Sequence, residues 1–158
     1  MIRTATYDDL PRAREIYAIA RAAMRAEGNM TQWKPGDGPE ERIEGDIPLQ
    51  QLYVMEDEGG IYGVFAFIIG DDPTYDYIEG AWRSDTPYGT IHRIASDRTH
   101  RGVLGECIAW AKQKIDHIRI DTHEDNRTMR AAVAKQGFVP CGTIYVSDGT
   151  PRIAFDLL

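Results

Sequence analysis

Apolar residues recur at intervals of three and four in several stretches of the chain, and elsewhere they alternate or gather in short runs. Leu10, Ala13, Tyr17, Ala20 and Met24 form the first helical stripe. Thr6, with Asp9 three positions later, is a capping-box start for it, and the helix is expected to run to about Glu27. Leu104, Cys107, Ile108, Ala111 and Ile115 form a second stripe, and Met129, Ala132 and Val133 mark a third helix that stops at Gly137. A shorter helix over 40–51 is weakened at its end by Pro48. Strands are expected at 2–5, at 90–96 and over "HIRIDTH". Two more in "QLYVMEDEGGIYGVFAFIIGDD" join at a Gly-Gly turn, and a closing hairpin turns around "DGTP". The stretch "EGNMTQWKPGDGPEE" reads as loop, and "DPTYDYIEGAWRSDTPYG" as irregular and aromatic.

The order is strand, two helices, three strands, helix, strand, helix, two strands. With no internal repeat or linker, this predicts one mixed α/β domain over 1–158. Strand–helix–strand from 90 to 121 is expected to be a crossover between parallel strands. It places the basic loop "DRTHRG" at the C-terminal edge of a sheet, where α/β folds hold ligands. Free backbone N–H groups and the positive end of a helix dipole make that junction suited to an anion, phosphate above all.

Composition narrows the partners. A formal charge of −7 argues against nucleic acid, whose binding footprint is basic. No apolar run approaches the roughly 18 residues of a membrane span, and the first residues lack the apolar stretch of a secretory signal. Cys107 and Cys141 are too few for a disulfide framework, so reduced thiols and a cytoplasmic location are expected. His92, His123 and Cys141 match no metal-ligand spacing, and no metal is expected. The chain also lacks the GxxxxGK[ST] pattern of an ATP-binding loop.

The element order, together with "HRIAS", "IRIDTHEDNRTM", "KQGFVPCGTIYVSDGTPR" and "MTQWKPG", resembles the GNAT superfamily of N-acetyltransferases over essentially the whole chain. The resemblance implies a central, mostly antiparallel mixed sheet of about seven strands flanked by about four helices. It also implies acetyl-CoA as acyl donor, an amine of a small molecule or peptide as acceptor, and often a homodimer. In that family the loop before the third helix holds the pyrophosphate with the pattern Gln or Arg, two residues, Gly, one residue, then Gly or Ala. Here the pattern is partial: alignment on Gly102 puts Thr99 and Leu104 in the outer places, whereas alignment on Gly105 needs an extra residue. Main-chain N–H groups of His100, Arg101, Gly102, Val103, Leu104 and Gly105 can still serve, because backbone and dipole do most of the holding.

The same resemblance assigns the thioester to the main chain of Ile94, Ala95 and Ser96, and the pantetheine arm to Asn126, which can equally be a helix N-cap. Four residues before Gly137 many GNAT enzymes carry a tyrosine that protonates the departing CoA thiolate; here Val133 stands there. Tyr145 is the candidate replacement, and can also be simply a packed tyrosine of the sheet. His92 and His123 are candidate general bases, each of which can also be a hydrogen-bonded residue at a strand edge. Trp33, Asp121 and Thr122 are candidate acceptor-side residues, with Trp33 also able simply to cover the core. Glu40, Glu41, Glu44, Asp71 and Asp72 hint at a cationic acceptor, and can equally be a solvated face. The competing expectation is an acyl-CoA-binding module without catalysis, and a third is a structural or interaction protein that keeps the fold without the ligand.

Overall fold

Thr6 starts the first helix through the expected capping box, its backbone N–H donating to the Asp9 carboxylate at 2.7 Å. A 3₁₀ turn at Tyr7–Asp9 leads into α1, Leu10–Ala26, which buries Leu10, Ala13, Ile16 and Tyr17. The computed structural model describes residues 1–34 and 38–158, so 35–37 of the predicted Gly- and Pro-rich loop lie outside the described residues. The second helix is shorter than expected: α2 covers only Ile43–Asp46, after a 3₁₀ turn at Pro39–Glu41. Continuing it would set the Pro48 ring against the carbonyl of Glu44, so the chain leaves the helix before that residue.

The strands are β1 Ile2–Thr4, β2 Leu52–Asp57, β3 Gly60–Ile69, β4 Glu79–Gly80, β5 Tyr88–Ser96, β6 His117–Thr122, β7 Val139–Tyr145 and β8 Pro151–Leu157. Two further helices, α3 Val103–Lys112 and α4 Arg127–Lys135, complete the fold. The sheet is eight-stranded, in the order β1-β2-β3-β5-β6-β8-β7-β4. The strand beyond the expected seven is β4, two residues within the aromatic stretch read as irregular. β5 and β6 are parallel, as the crossover predicts, while β1–β2, β2–β3, β6–β8, β7–β8 and β4–β7 are antiparallel. Asp57 pairs with Gly60, so the tight turn of the first hairpin is Glu58-Gly59 rather than the Gly-Gly pair.

The chain divides into two compact units, Met1–Phe67 with His92–Val103, and Ile68–Ile91 with Leu104–Leu158. The first is built on Ile16, Tyr17, Ile43, Leu52, Val54 and Val64. The second has a cluster of Tyr75, Tyr88, Ile144 and Ala154, and in it α3 buries four residues of its predicted stripe, Leu104, Cys107, Ile108 and Ala111. The fifth, Ile115, lies past the helix end and is half-buried.

Candidate active site

The loop between β5 and α3 owes its shape to short polar side chains. Asp97 Oδ1 accepts from the Thr99 N–H at 3.0 Å and from its hydroxyl at 2.6 Å, closing an Asx-type turn. The Ser96 hydroxyl accepts from the Arg98 N–H at 3.2 Å. The other Asp97 oxygen takes the Arg12 guanidinium at 2.6 Å, tying the loop to α1. Arg98 has φ 69° and Gly102 φ 70°, so the chain turns twice through the left-handed region before α3 begins at Val103. A Cβ added at Gly102 would meet nothing within 4 Å, so backbone conformation, not crowding, is what calls for glycine there. Among the described residues neither Arg98 nor Arg101 has a carboxylate partner, and both are exposed beside the helix start.

Upstream of the loop, β5 pairs with β6 only from Tyr88 to Thr90. Arg93, three residues later, has φ 53°, a left-handed residue inside a strand. Two interactions hold it there: the Tyr17 hydroxyl donates to its carbonyl at 2.8 Å, and its guanidinium is paired with Asp46. Burial pushes the Tyr17 hydroxyl well above the usual tyrosine range, which keeps it a donor. Trp33 packs edge-on against Tyr17, ring centroids 5.5 Å apart, and its carbonyl accepts from Arg21 and Arg25 at 2.7 and 3.1 Å. Ile94 and Ser96 are half-buried, Ala95 is buried, and His92 is half-buried earlier in the strand.

In the second unit, Asp121 accepts from the Tyr75 hydroxyl at 2.6 Å, and burial together with that carboxylate raises the Tyr75 pKa. Thr122 is buried, and its Oγ1 has no hydrogen-bond partner among the described residues. His123 follows the strand, where its Nδ1 accepts from the Asp125 N–H at 3.1 Å. The neutral ring therefore carries its proton on Nε2. Asn126 is the N-cap of α4, its side-chain oxygen accepting from the Met129 N–H at 3.1 Å. Leu104 is buried, and a Cβ on Gly105 would come within 2.9 Å of the Gln136 amide at the end of α4. Val133 is fully buried. Tyr145, at the end of β7, is exposed and donates to Glu79 of β4, which raises its pKa.

No protein-family model matches the chain, and no curated protein does. Among solved structures, an acetyltransferase of the GNAT family from Streptococcus agalactiae shares 30% identity at a TM-score of 0.87, covering 100% of this chain and 94% of its own. The chain belongs to the GNAT family of acetyltransferases. A GNAT-family acetyltransferase from Listeria monocytogenes shares the fold at 19% identity and a TM-score of 0.70, covering 99% of this chain and 92% of its own. The ribosomal-protein-alanine N-acetyltransferase from Brucella melitensis does so at 20% and 0.62, covering 100% and 99%.

This GNAT protein also carries a polar centre that the sequence reading missed. Asp156, fully buried, accepts from His117 Nε2 at 2.6 Å, Arg119 Nε at 3.0 Å and the Arg83 N–H at 2.8 Å. The Arg119 guanidinium is sandwiched between Trp82 and Tyr88, 3.8 and 4.1 Å from their centroids. Two signals were available: a lone acid inside the apolar run "IAFDLL", and His117, Arg119 and Asp121 alternating with isoleucines in a strand.

Proposed function

We propose that this acetyltransferase moves the acetyl group of acetyl-CoA to a primary amine of a small molecule or peptide, its 158 residues working as one domain in the cytoplasm. The observation that carries the reading is the β5–α3 junction. Two exposed arginines with no carboxylate partner among the described residues, a left-handed Gly102 and the first turn of a ten-residue helix offer a pyrophosphate its charges and its main-chain donors together. In this reading His100 to Gly105 contribute main-chain N–H groups, and the main chain of Ile94, Ala95 and Ser96 polarises the thioester. Asn126 adds a pantetheine contact to its observed cap.

Trp33, Asp121 and Thr122 are assigned to the acceptor. The buried Thr122 hydroxyl supports this, since a ligand group would complete its hydrogen bonding. His92 and His123 are the candidate bases, and the Asp125 bond narrows what His123 can do. With its Nδ1 lone pair engaged, His123 takes a proton from the amine only if that bond opens first. Tyr145 remains the proposed proton donor; like any tyrosine its hydroxyl is protonated at neutral pH, and the bond to Glu79 raises its pKa further. No helix among the described residues is long and apolar enough to cross a membrane.

The second reading, an acyl-CoA-binding module without catalysis, is favoured by one observation. Val133, at the place of the usual tyrosine, is sealed in the core and offers no acid. Thiol release from acetyl-CoA across a panel of amines decides between the two. Turnover with any amine supports transfer. Thermal stabilisation by CoA without turnover supports the module, and no stabilisation at saturating CoA overturns both.

A further inference from the structure

His100 belongs to the proposed pyrophosphate loop, yet its ring is fully engaged within the protein. The imidazole stacks on Tyr62 of β3, centroids 3.7 Å apart and planes 12° from parallel. Its Nε2 is 2.7 Å from Asp57 Oδ2 at the end of β2, and its Nδ1 is 2.7 Å from Thr99 Oγ1. That same Thr99 oxygen is 2.6 Å from Asp97 Oδ1. Counting protons then shows which state of the ring completes every bond. A carboxylate only accepts, so Asp57 requires a proton on Nε2. Asp97 likewise takes the single hydroxyl proton of Thr99, which leaves Thr99 Oγ1 able only to accept from Nδ1. Every bond in the chain Asp57–His100–Thr99–Asp97 is made only when both ring nitrogens carry protons. A neutral ring leaves two lone pairs facing each other somewhere along it, at hydrogen-bond distance.

We propose that His100, as imidazolium, is a positioning residue: a clasp that holds the 97–102 loop against the β2–β3 hairpin in the shape that receives pyrophosphate. Acetyl-CoA affinity then falls as rising pH removes the second ring proton. The inference rests on the reading that this loop takes the pyrophosphate. The clasp acts through the backbone, because neither ring nitrogen is left for a phosphate oxygen. The groups facing it are Asp57 from β2, Tyr62 from β3, and Asp97 and Thr99 from the loop, with Arg12 of α1 reaching it through Asp97. Arg98 and Arg101 are the other charges of the loop. The bond from His100 also holds the Asp57 carboxyl below the usual carboxylate range, as a cationic partner does.

The test is the affinity of CoA, by calorimetry at about pH 6 and about pH 8.5, for the parent and for His100→Gln, which cannot titrate. Ionisation of the CoA phosphates is common to both proteins and cancels in the comparison. The parent is expected to lose about fivefold more affinity than the variant across the interval. Asp57→Asn is expected to weaken CoA binding at the lower pH with an unchanged melting temperature. Identical pH dependence in parent and His100→Gln, or parent-like CoA affinity in Asp57→Asn, overturns the clasp. If CoA binds neither protein at either pH, the pyrophosphate reading falls, and the free protein still decides the clasp. In that case loop amide signals of residues 97–102 that shift with pH in the parent but not in His100→Gln support it, and equal shifts overturn it.

Discussion

Two histidine–aspartate pairs of nearly equal length sit in opposite surroundings. His100–Asp57 spans 2.7 Å with side chains 36% and 47% exposed; His117–Asp156 spans 2.6 Å with 3% and 0%. Their outer partners differ in kind as well. The far nitrogen of His100 meets a hydroxyl whose proton is already given to Asp97, so one protonation state completes the network. The far nitrogen of His117 faces both the hydroxyl and the carbonyl of Thr86, each at 3.1 Å. A neutral ring accepts from the hydroxyl, and a charged ring donates to the carbonyl. The buried pair is whole in either state and holds the segment around Trp82 to Tyr88 in place. The exposed pair is completed by one proton and undone by its loss, which suits a loop proposed to take up and release a ligand.

The largest effect expected from breaking this contrast is at Asp156. Asp156→Ala strands Arg119 and His117 without their anion in the core, a loss of about 3–5 kcal/mol. Urea unfolding should show it as a greatly lowered midpoint or as failure to fold. Asp57→Ala, at the exposed pair, should leave the midpoint unchanged within error. Equal losses at the two sites would mean that exposure does not separate them.

Next in size is Gly102→Val. A β-branched residue at φ 70° is strained by about 1–3 kcal/mol, and the loop should relax away from its ligand-ready turn. CoA affinity is expected to fall at least tenfold. Gly102→Asn tolerates the left-handed region better and should recover most of the stability and part of the affinity. A stable Gly102→Val protein with parent-like affinity would remove this loop from CoA binding.

These sites also mark what was legible in the sequence. The Thr6–Asp9 capping box and the α3 stripe are encoded within one or two helical turns, and both were readable. The basic loop could be singled out as a candidate anion site because glycine, arginine and a helix start are adjacent in the chain. The clasp was not, because Asp57 lies 43 residues from His100 and nothing local announces their meeting. Arg93 in a left-handed conformation was hidden for a related reason: the fold, through Tyr17 and Asp46, imposes a conformation that arginine does not favour. β4 escaped because two residues carry no period, and their strand character comes from pairing with β7.

Arg3 with Asp9 and Glu56 is an intermediate case, and it sharpens the comparison through acid. Arg3 meets Asp9 at 2.8 Å and Glu56 at 2.7 Å, with Asp9 10% exposed and Glu56 27%. The guanidinium hydrogen bond holds the Asp9 carboxyl below its ordinary value despite desolvation, and holds Glu56 down as well. A depressed folded-state pKa stabilises above the unfolded value, and that stability is lost as pH falls through the folded one. The window therefore opens below about pH 4, the unfolded carboxylate range. Arg3→Gln should lower stability at neutral pH and flatten the decline of the melting temperature between about pH 4 and pH 2. An acid limb as steep as the parent's would place the acid-sensitive carboxylates elsewhere.

The smallest structural effect is expected at Tyr145, where it also separates structure from chemistry. Its hydroxyl donates to Glu79 across the β4–β7 pair, and the carboxylate raises the tyrosine pKa. Tyr145→Phe keeps the ring beside Tyr77 and removes only an exposed hydrogen bond, so the unfolding midpoint should hold. Catalysis is another matter. General acid help is worth about 10²–10⁴-fold, and with Val133 buried no side chain at the usual place provides it. If Tyr145 protonates the departing thiolate, turnover with a good amine falls at least tenfold while CoA affinity is unchanged. Glu79→Gln then moves the alkaline limb of the pH profile down, because the carboxylate that raises the tyrosine pKa is gone. A Phe variant with parent-like turnover assigns the proton to water or substrate, and Tyr145 becomes what Asp156 is on a larger scale: a residue that holds two strands together.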